Sequence, residues 1–224
     1  AVSPATELAL RVATYTYAEP ARRALRVVIS AGAGRGTEGV GAWLGFVLVH
    51  AAGVIAATAT VESRSGQYAF SCVVPEGRYT LRAAAIDAMG LQGSVERVFA
   101  ARLAGTTEMR LGDLMLAPVP ASAAAPLSPI VDRATGDALV AYVEFQAPAA
   151  ARPEVRVTIA RGPSDPPLLT AAAAVSSRDD GWATARVTIP IGEIPPGEYL
   201  ARAEINVAGG SAGGVSRPFT ILAR

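Results

Sequence analysis

Hydrophobic and polar residues alternate along most of this chain, in short segments bounded by turn-forming residues. A period of two is typical of β-strands with one buried face, and helical periodicity is scarce. In the first half the pattern predicts strands at Leu8–Tyr17, Leu25–Ala31, Trp43–His50, Val54–Val61, Tyr68–Val74, Tyr79–Ile86 and Ser94–Leu103. In the second half it predicts Ser128–Val131, Ala138–Gln146, Glu154–Ala160, Leu168–Val175, Ala183–Pro190, Tyr199–Val207 and Val215–Leu222.

The chain also repeats itself. The segment Pro75 to Phe99 aligns without a gap on Pro195 to Phe219, at a constant offset of 120 residues. Ten positions are identical, namely Pro75/Pro195, Gly77/Gly197, Tyr79/Tyr199, Arg82/Arg202, Ala83/Ala203, Gly90/Gly210, Gly93/Gly213, Val95/Val215, Arg97/Arg217 and Phe99/Phe219. Chance would give roughly two matches over this length. A repeat of domain size indicates two copies of one module.

Strand count and repeat together define the expected fold. Seven short strands in about 100 residues are typical of an immunoglobulin-like or fibronectin-III-like β-sandwich. We therefore expect an all-β chain with one sandwich at residues 1–116, a Pro/Ala-rich linker at 117–127 (Ala117 to Leu127) and a second sandwich at 128–224. The apolar residues of 108–116, just before this linker, fit either a last strand or a strap at the domain junction.

The repeated motif P-x-G-x-Y-x-x-R-A predicts local structure. Gly77 and Gly197 suit a turn, and Tyr79 and Tyr199 then enter the sixth strand of each copy. A tyrosine at this place indicates a tyrosine corner, in which the hydroxyl ties the preceding loop to the strand. The alternative is a pair of tyrosines that contact a ligand.

Arginines and one loop supply the candidate interaction surface. Arg82 and Arg202 are expected on the outer face, in cross-strand salt pairs or, alternatively, in a repeated anion site. Arg97 and Arg217 share the phase of apolar neighbours, so their stems should cover the sandwich edge. The loop residues Arg35, Thr37 and Glu38 lie in a literal G-x-G-x-x-G match at 34–39. No helix pattern follows this match, which favours an interaction loop over a nucleotide site.

Composition argues against several classes of function. The formal net charge is +1, so no field directs the chain to nucleic acid, and no apolar run is long enough for a membrane span. His50 is the single histidine and Cys72 the single cysteine, which predicts neither a disulfide nor a zinc or catalytic histidine site. Cys72 is expected to be a buried, inert thiol. Asp179-Asp180-Gly181 favours a turn over a calcium loop. We expect no catalytic residue, cofactor or metal.

The segments PEGRYTLRAAAIDAMGLQGSVERVF and PPGEYLARAEINVAGGSAGGVSRPF resemble bacterial extracellular immunoglobulin-like and fibronectin-III-like modules. The order of segments, with LRVVISA, GFVLVH and LGDLML around the first copy, is similar to the region after the von Willebrand factor A-type domain in secreted acidobacterial-type proteins. The metal motif of that domain, D-x-S-x-S, does not occur here, so no functional residue is carried over.

The resemblance implies an exported, non-enzymatic bacterial chain. It would act as a spacer or protein-interaction module beside a domain absent from this chain, with a protein or a neighbouring domain as partner. One alternative is a carbohydrate-binding accessory module. Its aromatic candidates are Trp43, Trp182, Tyr15, Tyr17 and Tyr142. The other is an accessory region of a hydrolase whose active site lies upstream.

Overall fold

The computed structural model describes residues 7–33, 42–63, 67–107, 109–122, 125–146, 152–178, 180–207 and 212–223. The chain divides into two compact units, Ala1–Arg102 (unit 1) and Leu103–Arg224 (unit 2). Each is built from two packed antiparallel sheets with almost no helix, which confirms the all-β sandwich class.

Within the described residues of unit 1, seven strands form two sheets. They are β1 (Leu10–Glu19), β2 (Ala24–Ala33), β3 (Ala42–His50), β4 (Ile55–Ser63), β5 (Gln67–Val74), β6 (Gly77–Asp87) and β7 (Gln92–Ala101). One sheet has the order β1-β2-β5 and the other the order β4-β3-β6-β7. This division, with the fourth strand beside the third, is that of a fibronectin-III-like sandwich.

The core of unit 1 lies between these sheets. On β3, Leu44, Phe46 and Leu48 are buried because alternate side chains of a strand point to the same face. The ring of Phe46 packs on Phe70 of the opposite sheet at a centroid distance of 5.2 Å. The residues between the buried positions of β3 therefore face outward.

Unit 2 has the same core plan with extra short strands. They are β8 (Ala104–Gly105), β9 (Arg110–Leu111), β10 (Met115–Pro118), β11 (Arg133–Ala134), β12 (Ala138–Gln146), β13 (Pro153–Ala160), β14 (Leu169–Ala172), β15 (Ala174–Ser177), β16 (Trp182–Pro190), β17 (Gly197–Val207) and β18 (Ala212–Ile221). One sheet runs β15-β16-β12-β9-β8, with β10 also on β12, and the other runs β11-β18-β17-β13-β14.

The division between the units lies after Arg102, earlier than the predicted end of the first sandwich at residue 116. The intervening apolar residues Met109, Leu111, Leu114 and Leu116 are buried in the core of unit 2. Short apolar strands gain little alone, and here β9 and β10 bury their side chains by pairing with β12. The predicted linker at 117–127 accordingly begins within β10.

Two predicted strands differ in the structure. The predicted strand Leu168–Val175 is two strands, because the chain changes sheets at Ala173: β14 pairs with β13, and β15 pairs with β16 of the other sheet. The predicted strand Ser128–Val131 is not formed. Ile130 donates one backbone hydrogen bond to Leu116, and the strand that follows, β11, pairs in parallel with β18.

Both tyrosine corners are present. The hydroxyl of Tyr79 donates to the carbonyl oxygen of Pro75 at 2.9 Å, and that of Tyr199 donates to Pro195 at 2.7 Å. Both rings are buried, and each packs on the phenylalanine opposite it, Phe99 or Phe219. This confirms the structural interpretation of the repeated tyrosine.

The last strand of each unit carries a second repeated contact, a hydrogen bond from an arginine side chain to the backbone of another segment, which we call the arginine tie. Arg97 Nη1 donates to the carbonyl of Val12 at 2.9 Å, and Arg217 Nη2 donates to that of Val131 at 3.5 Å. In unit 1 the guanidinium thus reaches β1, and in unit 2 it reaches the segment just before β11. That the arginine stems cover the sandwich edge stays a prediction.

A repeated glycine allows a close approach beside that tie. A Cβ atom added to Gly93 would fall on the carbonyl oxygen of Leu8, whose amide donates to Gln92 at 2.9 Å. A Cβ atom added to Gly213 would lie 2.8 Å from the sulfur of Met109. These two glycines therefore leave room for the segment that enters each unit.

Candidate functional site

Arg82 and Arg202 occupy equivalent places on the outer faces of β6 and β17 but make different contacts. Arg82 Nε lies 2.8 Å from Glu96 Oε2 on β7, directly opposite in the sheet register, so the predicted cross-strand pair is present in unit 1. Both side chains are exposed, and such a pair contributes little to stability.

Arg202 has no acid opposite it, because Ser216 takes the place of Glu96. Its Nη2 donates to the backbone carbonyl of Pro163 at 2.7 Å, and its Nη1 lies 3.7 Å from Glu204 Oε1 on the same strand. The two arginines thus belong to separate surfaces, one on each unit. Arg35, Thr37 and Glu38 lie outside the described residues, as does the whole G-x-G-x-x-G match.

The single histidine and cysteine both lie in structural surroundings. His50 Nδ1 accepts a hydrogen bond from the amide of Ala52 at 3.2 Å, and its ring packs edge-on against Tyr79. Cys72 is half-buried, and burial raises the pKa of its thiol. Within the described ranges, no group of three or more His, Cys, Asp or Glu side chains is placed to hold a metal ion.

The aromatic candidates separate clearly by exposure. Tyr15, Tyr17 and Trp182 are buried, and the hydroxyl of the half-buried Tyr142 donates to Glu144 at 2.8 Å. Trp43 is 54% exposed. A row of coplanar exposed rings, as expected of a flat carbohydrate platform, is not formed by these five. A single exposed indole remains.

Trp43 belongs to a continuous surface, the outer face of the β4-β3-β6-β7 sheet. The register places outward residues in three neighbouring rows across the strands. From β4 to β7 these rows are Glu62, Trp43, Ile86 and Gln92; then Thr60, Gly45, Ala84 and Ser94; then Thr58, Val47, Arg82 and Glu96. We call these twelve residues the Trp43 face.

The middle row is the floor of a trough because its side chains are small or absent. A Cβ atom added to Gly45 would meet no atom within 4 Å, so the space above the floor is open. The cavity over the second and third rows has a volume of about 1110 Å³. Val47 and the Arg82–Glu96 pair, in the third row, form one side of the trough. Trp43 and Ile86, in the first row, lie on the opposite side of the floor.

The equivalent face of unit 2 has a different chemistry. The 120-residue offset makes Ala84 equivalent to Glu204 and Ile86 to Asn206, and the strand register then makes Gly45 equivalent to Arg156. By the same register, Glu154 stands where unit 1 has Trp43. The cavity on this face is smaller, about 470 Å³, and is lined by residues of β17 and β18 such as Arg202 and Glu204.

Sequence reasoning named Trp43 and Arg82 separately but did not place them on one surface. The available signal was the phase of β3, since Leu44, Phe46 and Leu48 form the apolar alternation and put Trp43 and Gly45 on the opposite face. Comparison of the two copies outside their identical positions would have shown the change from Gly45 to Arg156.

No family model matches the chain, and no curated protein matches it. Among solved structures, it is similar to a tetra-tandem repeat in the extending region of a large adhesion protein, at 15% identity and a TM-score of 0.31. It is also similar to red sea bream transglutaminase, at 12% identity and a TM-score of 0.30. A third similarity is to trypsin-activated α2-macroglobulin from Escherichia coli, at 11% identity and a TM-score of 0.32.

The matches cover 97%, 98% and 99% of this chain, respectively. The chain in turn spans 50% of the adhesion-protein structure, 32% of the transglutaminase and 17% of the macroglobulin. At these TM-scores the similarities carry no argument about function. Among the described residues, no helix is long and apolar enough to cross a membrane.

Proposed function

We propose that this chain is a non-enzymatic, extracytoplasmic tandem β-sandwich module in which unit 1 presents a binding surface, the Trp43 face, and unit 2 acts as a spacer. The observation that carries the proposal is the divergence of one face within a duplicated scaffold. The repeat keeps the tyrosine corner and the arginine tie, whereas it changes Trp43, Gly45 and Ala84 to Glu154, Arg156 and Glu204.

The exposed apolar residues support a binding role for unit 1. Trp43 and Ile86 are 54% and 41% exposed, and they lie directly opposite each other on the outer face of β3 and β6. Single exposed apolar residues are ordinary, but an exposed apolar pair beside a trough is a feature of interaction surfaces. Unit 2 supports the same point, because it forms the same sheet with Glu154 and Asn206 in the places of Trp43 and Ile86. The apolar side chains are therefore not needed for folding.

A spacer role for unit 2 follows from its construction. Its core is continuous and includes the segments before β11, and its outer face over β13 and β17 bears Glu154, Arg156, Arg202 and Glu204. A charged surface of mixed sign resists non-specific association. We place the chain outside the cytoplasm, and beside a von Willebrand factor A-type domain of a longer protein, on its sequence resemblance. The sequence encoded on either side of the chain tests this placement.

The proposal requires that the Trp43 face is not needed for folding, and this is tested by replacing its residues with their unit 2 equivalents. The variant carries Trp43→Glu, Gly45→Arg, Ala84→Glu and Ile86→Asn, and its stability is measured by urea unfolding. Because these side chains face solvent, we expect the free energy of unfolding of unit 1 to change by less than about 1 kcal/mol. A loss of several kcal/mol would show that the Trp43 face is part of the folded core structure, and the proposal would fail.

A further inference from the structure

We propose that the Trp43 face binds a neutral linear oligosaccharide, seated in the trough across the four strands with a sugar ring against the Trp43 indole. This inference rests on the proposed function, since it names the ligand class of the same face. It follows from the size of the surface, its charge and the chemistry of the residues that line it.

The size of the face favours a small or thin ligand over a folded protein. Four strands about 4.8 Å apart, and six residues of β3 at about 3.4 Å each, give a face of roughly 400 Å². A stable interface between folded proteins buries about 800 Å² on each partner. A globular partner seated on these three rows alone would bury about half of that area.

The charge of the face favours a neutral ligand. Arg82 is paired with Glu96 at 2.8 Å, and the remaining formal charge on the three rows is the carboxylate of Glu62. A nucleic acid or an acidic polysaccharide would need unpaired cations. The Trp43 face has one neutralised ion pair and one carboxylate, and this charge disfavours binding of both nucleic acids and acidic polysaccharides.

The lining chemistry matches the two sides of a pyranose ring. Sugar rings present C–H groups on their faces and hydroxyls at their edges. Trp43 offers an exposed apolar surface, and burying it against a ring face is favourable. The hydroxyls of Thr58, Thr60 and Ser94 line the cavity, together with the Arg82–Glu96 pair. Hydroxyl, guanidinium and carboxylate groups together can donate and accept hydrogen bonds, as ring hydroxyls do.

Gly45 gives the trough its shape. Trp43 and Val47 are four residues apart on β3, so their Cα atoms are separated by about 13 Å. Between them Gly45 adds no side chain, and the space above it is open. In unit 2 Arg156 occupies this place, directly opposite Glu204, so two long charged side chains stand where unit 1 has its floor.

The test is native affinity electrophoresis of the full chain in gels that contain hydroxyethylcellulose, xylan, galactomannan or soluble starch, with polygalacturonate as the acidic comparison. We expect retardation by at least one neutral polysaccharide and none by polygalacturonate. Trp43→Ala should weaken retardation about tenfold, because the ligand covers roughly half of the part of the Trp43 side chain that is exposed. Gly45→Arg should abolish it. The matched control is Glu154→Ala, at the equivalent place in unit 2, which should bind like the parent chain.

Fluorescence provides a second reading. The chain has two tryptophans, and Trp182 is buried whereas Trp43 is exposed. Binding at the proposed site should shift the emission of Trp43 to the blue and protect it from acrylamide quenching. A parent chain that no neutral polysaccharide retards, or whose retardation survives both Trp43→Ala and Gly45→Arg, would overturn the carbohydrate inference.

A failure of this inference is separable from a failure of the proposed function. If sedimentation velocity shows self-association that Trp43→Glu abolishes, the face contacts protein, and only the carbohydrate inference fails. If the face exchange described above unfolds unit 1, both fail. Retardation by polygalacturonate alone would overturn the neutral ligand while leaving a binding role.

Discussion

Replacing either corner tyrosine by phenylalanine tests how far the repeated motif stabilises each sandwich. Tyr79→Phe removes the hydroxyl that donates to Pro75, and Tyr199→Phe removes the one that donates to Pro195, at 2.9 and 2.7 Å. The rings remain and keep their packing on the facing phenylalanines. The change therefore isolates one hydrogen bond in each unit.

The expected magnitude follows from the surroundings of the bond. A net hydrogen bond contributes about 1 kcal/mol, and leaving a partly buried carbonyl without its donor raises the cost toward about 1.5 kcal/mol. With an m-value of about 2 kcal/mol/M in urea, each variant should lower the unfolding midpoint of its own unit by about 0.5 to 0.75 M.

The chain contains a native reporter for each unit. Cys72, the single cysteine, lies half-buried in unit 1, so pulsed labelling of its thiol at each urea concentration follows the unfolding of that unit. Trp182 is buried in unit 2, so its fluorescence follows the other transition, over the steady signal of the exposed Trp43. Tyr79→Phe should move the Cys72 transition, and Tyr199→Phe the Trp182 transition. Midpoints that coincide with those of the parent chain in both variants would refute the reasoning.

Three further predictions concern unit 1. Gly93→Ala should lower the free energy of unfolding by about 3 kcal/mol or more, because its Cβ atom would overlap the Leu8 carbonyl; Gly45→Ala, made in open space on the same sheet, is the control and should change stability by less than about 1 kcal/mol in urea unfolding. Arg97→Gln should cost about 1 kcal/mol in the same assay, below the range of about 1.5 to 3 kcal/mol for a charged donor because the side chain is exposed; no change would mean that the hydrogen bond to Val12 does not persist in solution. Burial raises the pKa of Cys72 above its ordinary 9.0, so the folded state holds that proton more tightly than the unfolded state. Its contribution to stability is therefore lost as pH rises above about 9, and a midpoint that increases there would contradict the sign.

The tyrosine corners were predictable because their determinants are local. Pro75, Gly77 and Tyr79 lie within five residues of one another, and the hydroxyl reaches back four positions to its acceptor. The same spacing in the second copy removes the ambiguity of a single motif. Strand phase likewise predicted the outward place of Arg82 and its pairing across the sheet.

The unit boundary was less predictable because it depends on distant partners. Met109 and Leu111 lie on either side of Arg110, and residues 114–117 are apolar without a break, as in many short strands; only β12, more than 20 residues later, decides which unit buries them. The change of sheets at Ala173 has the same origin. The segment from Leu168 to Val175 is a run of apolar and small residues with no turn-forming residue in it, so it contains no sign that the pairing partner changes from β13 to β16.

Duplication explains why the candidate site lies on an outer face and not in the core. The repeated residues hold each sandwich together from within: Tyr79 bonds to Pro75 in the loop before its own strand, and Arg97 bonds to Val12 on β1. The inward side chains of both copies fill a closed space of fixed volume. A change of side-chain volume in the core therefore lowers stability. An outward change, such as Gly45 in unit 1 to Arg156 in unit 2, places the new side chain in solvent and has little effect on stability. Outward positions of the β4-β3-β6-β7 sheet are thus where the two copies were free to diverge. The trough of unit 1 lies at such positions in the middle of the sheet. Pairing with neighbouring strands fixes the backbone of its floor there, so the outward side chains determine which ligand binds.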